Sequence, residues 1–239
     1  MGRGEGRDPQ RVRGMFGEIA PRYDLLNRLL SANLDRGWRR VAARVVARDS
    51  PTRVLDLCGG TGDLTLEVAS RTGESASIVC CDFAHPMLLR ARQKFSRSPV
   101  GQRCLTLEAD GLRLPFGDGA FDAVALGFGI RNLACLDRGL REIRRVLRHG
   151  GRLVVLEFSR PTGRLLAGLY GFYLRRVLPR LGDGISGSGG AYRYLARTIA
   201  DFPEAPALAD RLRAAGFAEC GWTPLAGGIV AIHTGQRAG

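Results

Sequence analysis

A glycine-rich turn between two acidic residues is the part of the sequence whose chemistry is easiest to predict. Residues 54–57 are typical of a buried strand that contains Asp56, a glycine loop follows at residues 58–62, and a helix is predicted to begin near Asp63. Glycines allow a tight turn and let backbone N–H groups approach a ligand at a helix N-terminus. The next strand-like run ends at Asp82, whose carboxylate suits the hydroxyl groups of a ribose. The sequence therefore predicts a nucleoside site in a doubly wound sheet.

The spacing of the glycines indicates which nucleosides this loop suits. Gly60 and Gly62 match the first two glycines of a dinucleotide fingerprint, but Thr65 occupies the place of the third, which packs the helix beside a pyrophosphate. No Gly-Lys-Ser/Thr sequence of a phosphate-binding loop follows. A ligand with a ribose and no pyrophosphate fits better, and we expect S-adenosylmethionine. The alternative at this point is a glycine-rich turn that binds no ligand.

Composition limits the classes of protein that need to be considered. The 239 residues, 45% of them hydrophobic, are enough for one domain with a sizeable core. The formal net charge of +13 suggests an acidic partner, such as an anionic membrane surface or a nucleic acid, or else a solvated basic surface. Six cysteines without a C-x-x-C pair and three scattered histidines predict a cytoplasmic protein without a metal site. We expect neither a secretory signal nor a transmembrane helix, because no sufficiently long apolar run is present.

Apolar patterning predicts strands that alternate with helices along the middle of the chain. The predicted strands lie at residues 52–57, 77–82, 103–109, 121–127 and 151–157. The predicted helices between them lie at residues 62–71, 84–95 and 136–148. This alternation predicts βαβ units and a parallel sheet, in which ligands bind beyond the carboxyl ends of the strands. The residues expected at those ends are Asp56, Asp82, Asp110, Gly127 and Glu157.

Both ends of the chain are predicted to add elements to this sheet. Helical patterns precede the first strand and follow the fifth, and the final segment has the alternation of a β-hairpin, which brings the number of strands to seven. The predicted divisions are a disordered tail (1–11), an N-terminal helical cap (12–48), a helical substrate lid (163–200) and a closing hairpin (218–223 and 228–234), with a single domain over 12–239.

Several segments outside the glycine loop resemble the C-methyltransferases of menaquinone and ubiquinone biosynthesis. The most specific are residues 15–27, which read MFGEIAPRYDLLN, and residues 127–132, which read GFGIRN. Further matching segments are residues 38–40, 59–63, 157–161, 191–195 and 227–233. The resemblance implies an α/β class I methyltransferase fold, Rossmann-like, with a doubly wound, mostly parallel seven-stranded sheet. It also implies C-methylation of a prenylated hydroquinone, either demethylmenaquinol or the benzoquinol of the ubiquinone pathway.

The resemblance extends to the residues that bind S-adenosylmethionine. It implies that Asp82 binds the ribose and that Asp110 and Gly111 lie near the adenine. Many relatives have serine in place of Gly127, so a contact there must come from the backbone. The predicted cofactor-binding residues are Asp56, Gly60, Thr61, Gly62, Asp82, Asp110, Gly111 and Gly127.

Methylation of a phenol ring at carbon needs a way to favour the phenolate, because loss of the hydroxyl proton increases the charge on the ring. Arg131 follows the fourth strand and is predicted to stabilise that charge as a fixed cation. Its own pKa, above ~12, makes direct proton abstraction unfavourable, so that a water relay is easier to accept. Tyr23 and Asp24 are predicted to close over the ring and orient it. The alternative is a helix-capping role for Arg131 and core packing for Tyr23.

The stretch from residue 165 to 178 is too short to cross a bilayer, and its apolar residues are followed by three arginines at positions 175, 176 and 180. Such a stretch suits the surface of an anionic membrane, which would also deliver a polyprenyl substrate, although a core or dimer helix has the same pattern. We expect peripheral membrane contact, no nucleic-acid partner and a homodimer as an open alternative. The competing functions are methylation of a phospholipid head group or another small acceptor, methylation of RNA, and a non-catalytic scaffold that binds the methyl donor.

Overall fold

A seven-stranded sheet forms the centre of the protein in a computed structural model, which describes residues 8–177 and 191–239. The strands are β1 (Arg53–Leu57), β2 (Ser77–Asp82), β3 (Cys104–Glu108), β4 (Phe121–Gly127), β5 (Leu147–Phe158), β6 (Phe217–Leu225) and β7 (Val230–Arg237). Their order across the sheet is β3-β2-β1-β4-β5-β7-β6. The first five strands are parallel, and β7 is antiparallel to both β5 and β6. The predicted doubly wound, mostly parallel sheet is therefore confirmed.

Nine α-helices are present in the described part of the chain. They are α1 (Pro9–Ile19), α2 (Tyr23–Leu30), α3 (Leu34–Val46), α4 (Asp63–Ala69), α5 (His85–Phe95), α6 (Leu136–Val146), α7 (Arg164–Phe172), α8 (Ala191–Ala200) and α9 (Ala205–Ala214). The central strands β1 and β4 are buried on both faces over most of their length, which explains apolar runs such as residues 123–126 of β4. No helix within the described ranges is long and apolar enough to cross a membrane.

Two predicted boundaries are wrong. Residues 9–11 were expected in a disordered tail, but α1 begins at Pro9 because Asp8 accepts a hydrogen bond from the Gln10 N–H at 3.0 Å and proline suits the first helical turn. Residues 1–7 lie outside the described residues. The fifth strand begins at Leu147 rather than at residue 151, because an irregular pairing with Phe121 extends it past a glycine pair.

The helices of the predicted cap and lid pack against one another beside the sheet. Buried residues of α1 and α2, among them Ile19 and Leu26, form one cluster with Met87 of α5 and Ala191 of α8. After α7 the chain makes a π-helical turn at Tyr173–Val177, and the hydroxyl of Tyr173 donates to the carbonyl oxygen of Leu30 at 2.7 Å. This hydrogen bond joins the lid to the cap.

Candidate active site

The glycine loop lies at the carboxyl end of β1, and its conformation explains two of its glycines. Gly60 and Gly62 have φ angles of +56° and +80°, which are unfavourable for residues with a side chain. A Cβ atom on Gly62 would also lie 2.5 Å from the ring of Phe95. The backbone angles therefore favour glycine at both positions, and the loop leads directly into the first turn of α4 at Asp63, as the sequence predicted.

Asp82, at the end of β2, lies directly beside this loop. Its two carboxylate oxygens accept backbone hydrogen bonds from Gly60 and Ala84, both at 2.9 Å. Burial raises the pKa of Asp82 to about 6, although these N–H groups act in the opposite direction. Each oxygen keeps a lone pair for a further donor, so the carboxylate can accept hydrogen bonds from ribose hydroxyls.

Asp56 is fully buried under the loop. One oxygen, Oδ2, accepts a hydrogen bond of 2.6 Å from the hydroxyl of Thr65, and the other, Oδ1, has no partner among the described residues. Burial raises the pKa of Asp56 to about 7. An unpaired buried oxygen is costly, which indicates a site that a ligand or a proton completes.

The remaining predicted cofactor residues follow the neighbouring strands. Asp110 is exposed after β3, and its carboxylate accepts a hydrogen bond from the N–H of Leu112 at 2.9 Å. Gly111 is buried, and a Cβ atom there would lie 2.9 Å from Leu133. Gly127 ends β4, where a Cβ atom would meet Leu64 at 3.1 Å. The structure thus places them along one edge of the sheet with the loop, Asp56 and Asp82.

A single ammonium group joins the cap to the glycine loop. Lys94 donates to Asp63 at 2.5 Å and to Thr61 at 3.0 Å, and it forms an ion pair of 2.7 Å with Asp24 of α2. The Thr61 hydroxyl in turn donates to Asp24 at 2.6 Å. Asp24 is therefore held against the loop and does not line the cavity described next.

A cavity of about 310 Å³ lies between the cap, the lid and the carboxyl ends of β4 and β5. Apolar side chains supply most of its wall, and half of them belong to α1, α2 and α8, as expected for a small-molecule pocket with convergent polar groups. Those polar side chains are Tyr23, Asn27, Ser31, Asp35, Arg39, Arg131, Tyr170, Tyr173 and Tyr194.

Arg131 lies in a short 3-10 turn after β4 and is almost completely buried. Its Nη1 group donates to Glu157 at 2.7 Å and to the carbonyl oxygen of Phe128, and the guanidinium lies 5.3 Å from the centre of the Phe158 ring. Its Nε atom has no hydrogen-bond partner in the described part of the chain. Glu157, fully buried at the end of β5, is thus an ion-pair partner that orients Arg131.

A second buried arginine, which sequence reasoning missed, lines the same cavity. Arg39 of α3 pairs with Asp35 one turn earlier, and its guanidinium lies 5.4 Å from the centre of the Phe128 ring. Asp35 also accepts a hydrogen bond of 2.8 Å from Ser31. The W-R-R segment at residues 38–40 was the only signal in the sequence, because this pair is a one-turn helical spacing that usually occurs on a solvated face.

Two tyrosines line the cavity close to these arginines. Burial raises the pKa of Tyr23, while a hydrogen bond with Asn27 and the positive charges of Arg39 and Arg131 oppose that rise. The hydroxyl of Tyr170 on α7 is buried without a partner among the described residues, and burial raises its pKa as well. Tyr170 was not predicted as a site residue, since its aromatic and leucine-rich surroundings resemble packing.

The histidines contribute nothing to this site. His233 of β7 is buried with its Nε2 atom 3.2 Å from the carbonyl oxygen of Ala205, and burial lowers its pKa to about 4, so that it is neutral. His85 is exposed and contacts Glu108. The described residues contain no group of side chains suited to a metal ion.

Known proteins with similar sequences identify the family. A model of the ubiE/COQ5 methyltransferase family matches residues 5–237. The chain belongs to this family. A demethylmenaquinone methyltransferase of Thermus thermophilus is 50% identical over 223 residues, which are 93% of this chain and 100% of the relative. A ubiquinone/menaquinone biosynthesis C-methyltransferase of a Geobacter species is 44% identical over 95% of this chain and 97% of its own length.

Solved structures show the same fold with little sequence similarity. The [4+2]-cyclase SpnF has a TM-score of 0.72 at 19% identity, with 98% of this chain and 97% of that chain covered. Human N-acetylserotonin methyltransferase in complex with SAM has a TM-score of 0.62 at 18% identity; 91% of this chain aligns, but it spans only 56% of that protein.

Membership in the ubiE/COQ5 family makes this protein an S-adenosylmethionine-dependent methyltransferase. The observed residues fit that cofactor in three respects. The backbone of the loop is open at Gly60, where a Cβ atom would meet nothing within 4 Å, and Asp82 has free lone pairs at the expected ribose position. Asp56 has an oxygen without a partner among the described residues. Arg131 and Tyr23 face the adjoining cavity, whereas Asp24 lies at the loop.

Proposed function

We propose that this methyltransferase transfers a methyl group to a ring carbon of a prenylated hydroquinone, demethylmenaquinol in the first instance. The observation that carries the proposal is the mainly apolar cavity with the buried Arg131 in its wall, next to the carboxyl ends of the strands that hold the proposed cofactor residues. The names of the relatives support the same acceptor. The benzoquinol of the ubiquinone pathway is the second acceptor to test, since other relatives are named for both pathways.

The donor would be held by the carboxyl edge of the sheet. We assign the ribose hydroxyls to Asp82, the adenine side to Asp110 and Gly111, and the close backbone contacts to Gly60, Thr61, Gly62 and Gly127, with Asp56 beneath the loop. When bound, S-adenosylmethionine supplies an electrophilic methyl group to the acceptor ring carbon, and its sulfur leaves with the bonding electrons.

Arg131 would stabilise the phenolate form of the acceptor. Its guanidinium is fixed by Glu157 and by the carbonyl oxygen of Phe128, so little reorganisation is needed when negative charge develops on the ring oxygen. The Nε–H lacks a partner among the described residues but is itself buried, so we assign the contact with the ligand or a water molecule to Nη2, which makes no hydrogen bond within the described residues. Arginine stays protonated, so the phenolic proton must leave to another acceptor, such as water. After methyl transfer, the proton on the methylated ring carbon is also lost to water, which restores the aromatic ring, and the ring oxygen is protonated again.

Tyr23 and Asp24 would act from the cap. The Tyr23 hydroxyl lies in the positive potential of Arg39 and Arg131, where it can donate a hydrogen bond to the acceptor oxygen and orient the ring. Asp24 would act indirectly, because its contacts with Lys94 and Thr61 hold the cap helix closed over the glycine loop. Asp24 is therefore proposed as a positioning residue.

Methyl transfer from labelled S-adenosylmethionine tests the proposed function directly. The acceptors are demethylmenaquinol, the corresponding benzoquinol, phospholipid vesicles and total RNA, each with the same enzyme concentration. We expect rapid labelling of the naphthoquinol at carbon. Labelling of phospholipid or RNA in its place would contradict the proposed acceptor, and no labelling of any of them would favour a scaffold that only binds the donor.

We also propose that an apolar face of the lid contacts the membrane in which a prenylated substrate resides. Leu165, Leu169 and Phe172 lie on one face of α7 and are 80%, 60% and 59% exposed, and Leu25 and Leu29 form a second exposed apolar pair on the neighbouring cap helix. Basic residues follow α7 at positions 175 and 176, whereas position 180 lies outside the described residues.

Vesicle sedimentation tests the membrane proposal. Replacement of Leu165 and Leu169 by serine should reduce binding to anionic vesicles and raise KM for long-tailed quinols, with little effect on a short-tailed analogue. Leu105→Ser is the matched control, because Leu105 is 58% exposed on the edge strand β3. Equal binding of all three proteins would contradict a role for this face. A homodimer stays a prediction, which sedimentation velocity can test.

A further inference from the structure

Most N–H groups of the buried guanidinium of Arg39 have no hydrogen-bond partner in the described part of the chain. Its single hydrogen bond among the described residues runs from Nη1 to Asp35, although a guanidinium carries five N–H donors. The side chain is 7% exposed and lines the cavity, and its planar group is fixed by the Phe128 ring on one side and by Asp35 on another. A fixed, partly unsatisfied guanidinium is suited to a carboxylate ligand, which it can bind through two parallel hydrogen bonds.

The order of the strands, together with the proposed cofactor residues, indicates where a carboxylate of the donor would lie. The adenine and ribose positions follow β3 and β2, and the glycine loop follows β1, so successive parts of the donor cross the sheet toward β4. Phe128, whose ring lies 5.4 Å from the guanidinium of Arg39, comes directly after β4. With the adenine and ribose assigned in this way, the amino-acid end of S-adenosylmethionine, which bears its only carboxylate, would lie on the side of the loop where Arg39 is found.

The electrostatics of the loop agree with this position. Burial raises the pKa of Asp56 and of Tyr23, and the positive charge of Arg39 opposes that rise. Together with Lys94, the same charge lowers the pKa of Asp63 on the other side of the glycine loop. Arg39 thus acts on both the cofactor edge and the acceptor cavity. A further cation near the loop is Lys94, whose three donors are already engaged by Thr61, Asp63 and Asp24.

We propose that Arg39 binds the carboxylate of the methionine part of S-adenosylmethionine and that Asp35 positions its guanidinium for that contact. The proposal concerns the donor and does not depend on which acceptor is methylated. Arg39 would then fix the direction of the amino-acid end, and with it the position of the reactive methyl group beside the cavity.

Calorimetry with a pair of ligands tests this contact without turnover. The ligands are S-adenosylhomocysteine and its decarboxylated analogue, which differ only in the carboxylate. The wild-type protein should bind the decarboxylated ligand at least tenfold more weakly. In the paired variant Arg39→Gln/Asp35→Asn, which removes both charges and leaves none buried alone, the ratio of the two dissociation constants should fall to below about threefold.

Two further variants separate a carboxylate contact from a general loss of structure. Arg39→Lys keeps a positive charge beside Asp35 but lacks the planar fork, so we expect an intermediate ratio from a protein whose circular dichroism is that of the wild type. Lys94→Gln should weaken both ligands by the same factor and keep the full ratio. An unchanged ratio in the Arg39 variants, a wild-type ratio near one, or loss of the ratio in Lys94→Gln would each overturn the proposal.

Discussion

The cofactor edge and the acceptor cavity lie side by side, but they are built in different ways. The cofactor edge is formed by backbone N–H groups and strand-end carboxylates. Asp82, for example, accepts hydrogen bonds from the backbone of Gly60 and Ala84. In the cavity, side chains from the cap, the lid and two strand ends converge, and each of the two arginines is held by one buried carboxylate and one aromatic ring.

Because the two regions are built differently, we expect substitutions in them to have different effects on binding and catalysis. A backbone-built site is supported by the rigid sheet, so a substitution there is expected to weaken the donor without changing the chemistry. A site built from buried ion pairs depends on each partner, because removal of one leaves an unpaired charge in an apolar place. The variants below test that contrast.

Arg131→Lys should give the largest effect, on turnover. The ammonium keeps the charge beside Glu157, but it cannot donate to Glu157, Phe128 and the acceptor in one plane. We expect kcat to fall about 100-fold, the scale of losing one preorganised donor, with donor affinity within about twofold of the wild type. Rapid-quench kinetics and calorimetry measure the two quantities. Turnover at the wild-type rate would make Arg131 structural.

Asp82→Ala should act on the other region and weaken the donor. The ribose hydroxyls lose a charged acceptor, and such hydrogen bonds contribute roughly 1.5–3 kcal/mol, or about 10- to 100-fold in affinity. In the wild type, affinity should also decrease as the pH falls below about 6, where Asp82 becomes protonated. Calorimetry at several pH values checks both effects, and kcat at saturating donor should change by less than about threefold. Unchanged donor affinity in the alanine variant would remove Asp82 from the site.

The sequence predicted the cofactor edge better than the cavity, and the reason is physical. Asp56, the glycine loop and Asp82 occupy one short stretch of chain, and the rules for parallel strands bring such ends together. Arg39, Tyr170 and Glu157 come from elements far apart in the chain, so their convergence depends on how the cap and lid pack. Asp24 shows why the sequence could not predict which side chains enter the cavity. Its neighbour Tyr23 lines the cavity, whereas Asp24, one residue further along the helix, contacts Thr61 of the loop.

Asp56→Asn should change the pH dependence of stability. In the folded protein the pKa of Asp56 is raised to about 7, whereas in the unfolded chain it is near its ordinary value of 3.8. The folded state therefore holds an extra proton between these values, and this residue makes the wild type less stable as the pH rises through that range. The amide does not titrate in this range. The difference in Tm, variant minus wild type, should therefore be at least about 3 °C larger at pH 8 than at pH 5. The same difference in Tm between variant and wild type at all pH values would contradict this prediction.

Lys94→Gln should have the smallest effect. The substitution leaves Asp24 and Asp63 without their shared cation, but these side chains are partly exposed, so each ion pair contributes little. We expect donor affinity and the KM for the acceptor to weaken by about three- to tenfold, with kcat nearly unchanged. A matched substitution, Arg213→Gln, removes an exposed ion pair with Asp210 and should leave all three constants at wild-type values. Identical kinetics in both variants would show that the cap closes without Lys94.

Lys94 is the only lysine in the sequence, and its ion pair with Asp24 joins the end of α5 to the cap. Cleavage next to Lys94 can therefore report on local opening at this contact. A lysine-specific protease has one bond to cut, between Lys94 and Phe95 at the end of α5, where Phe95 is buried. Cleavage requires that this helix end opens locally, and in the rapid-exchange regime its rate follows the free energy of that opening. Protection by donor, by acceptor analogue and by both together would then measure the thermodynamic coupling between the two halves of the active site from a single band on a gel.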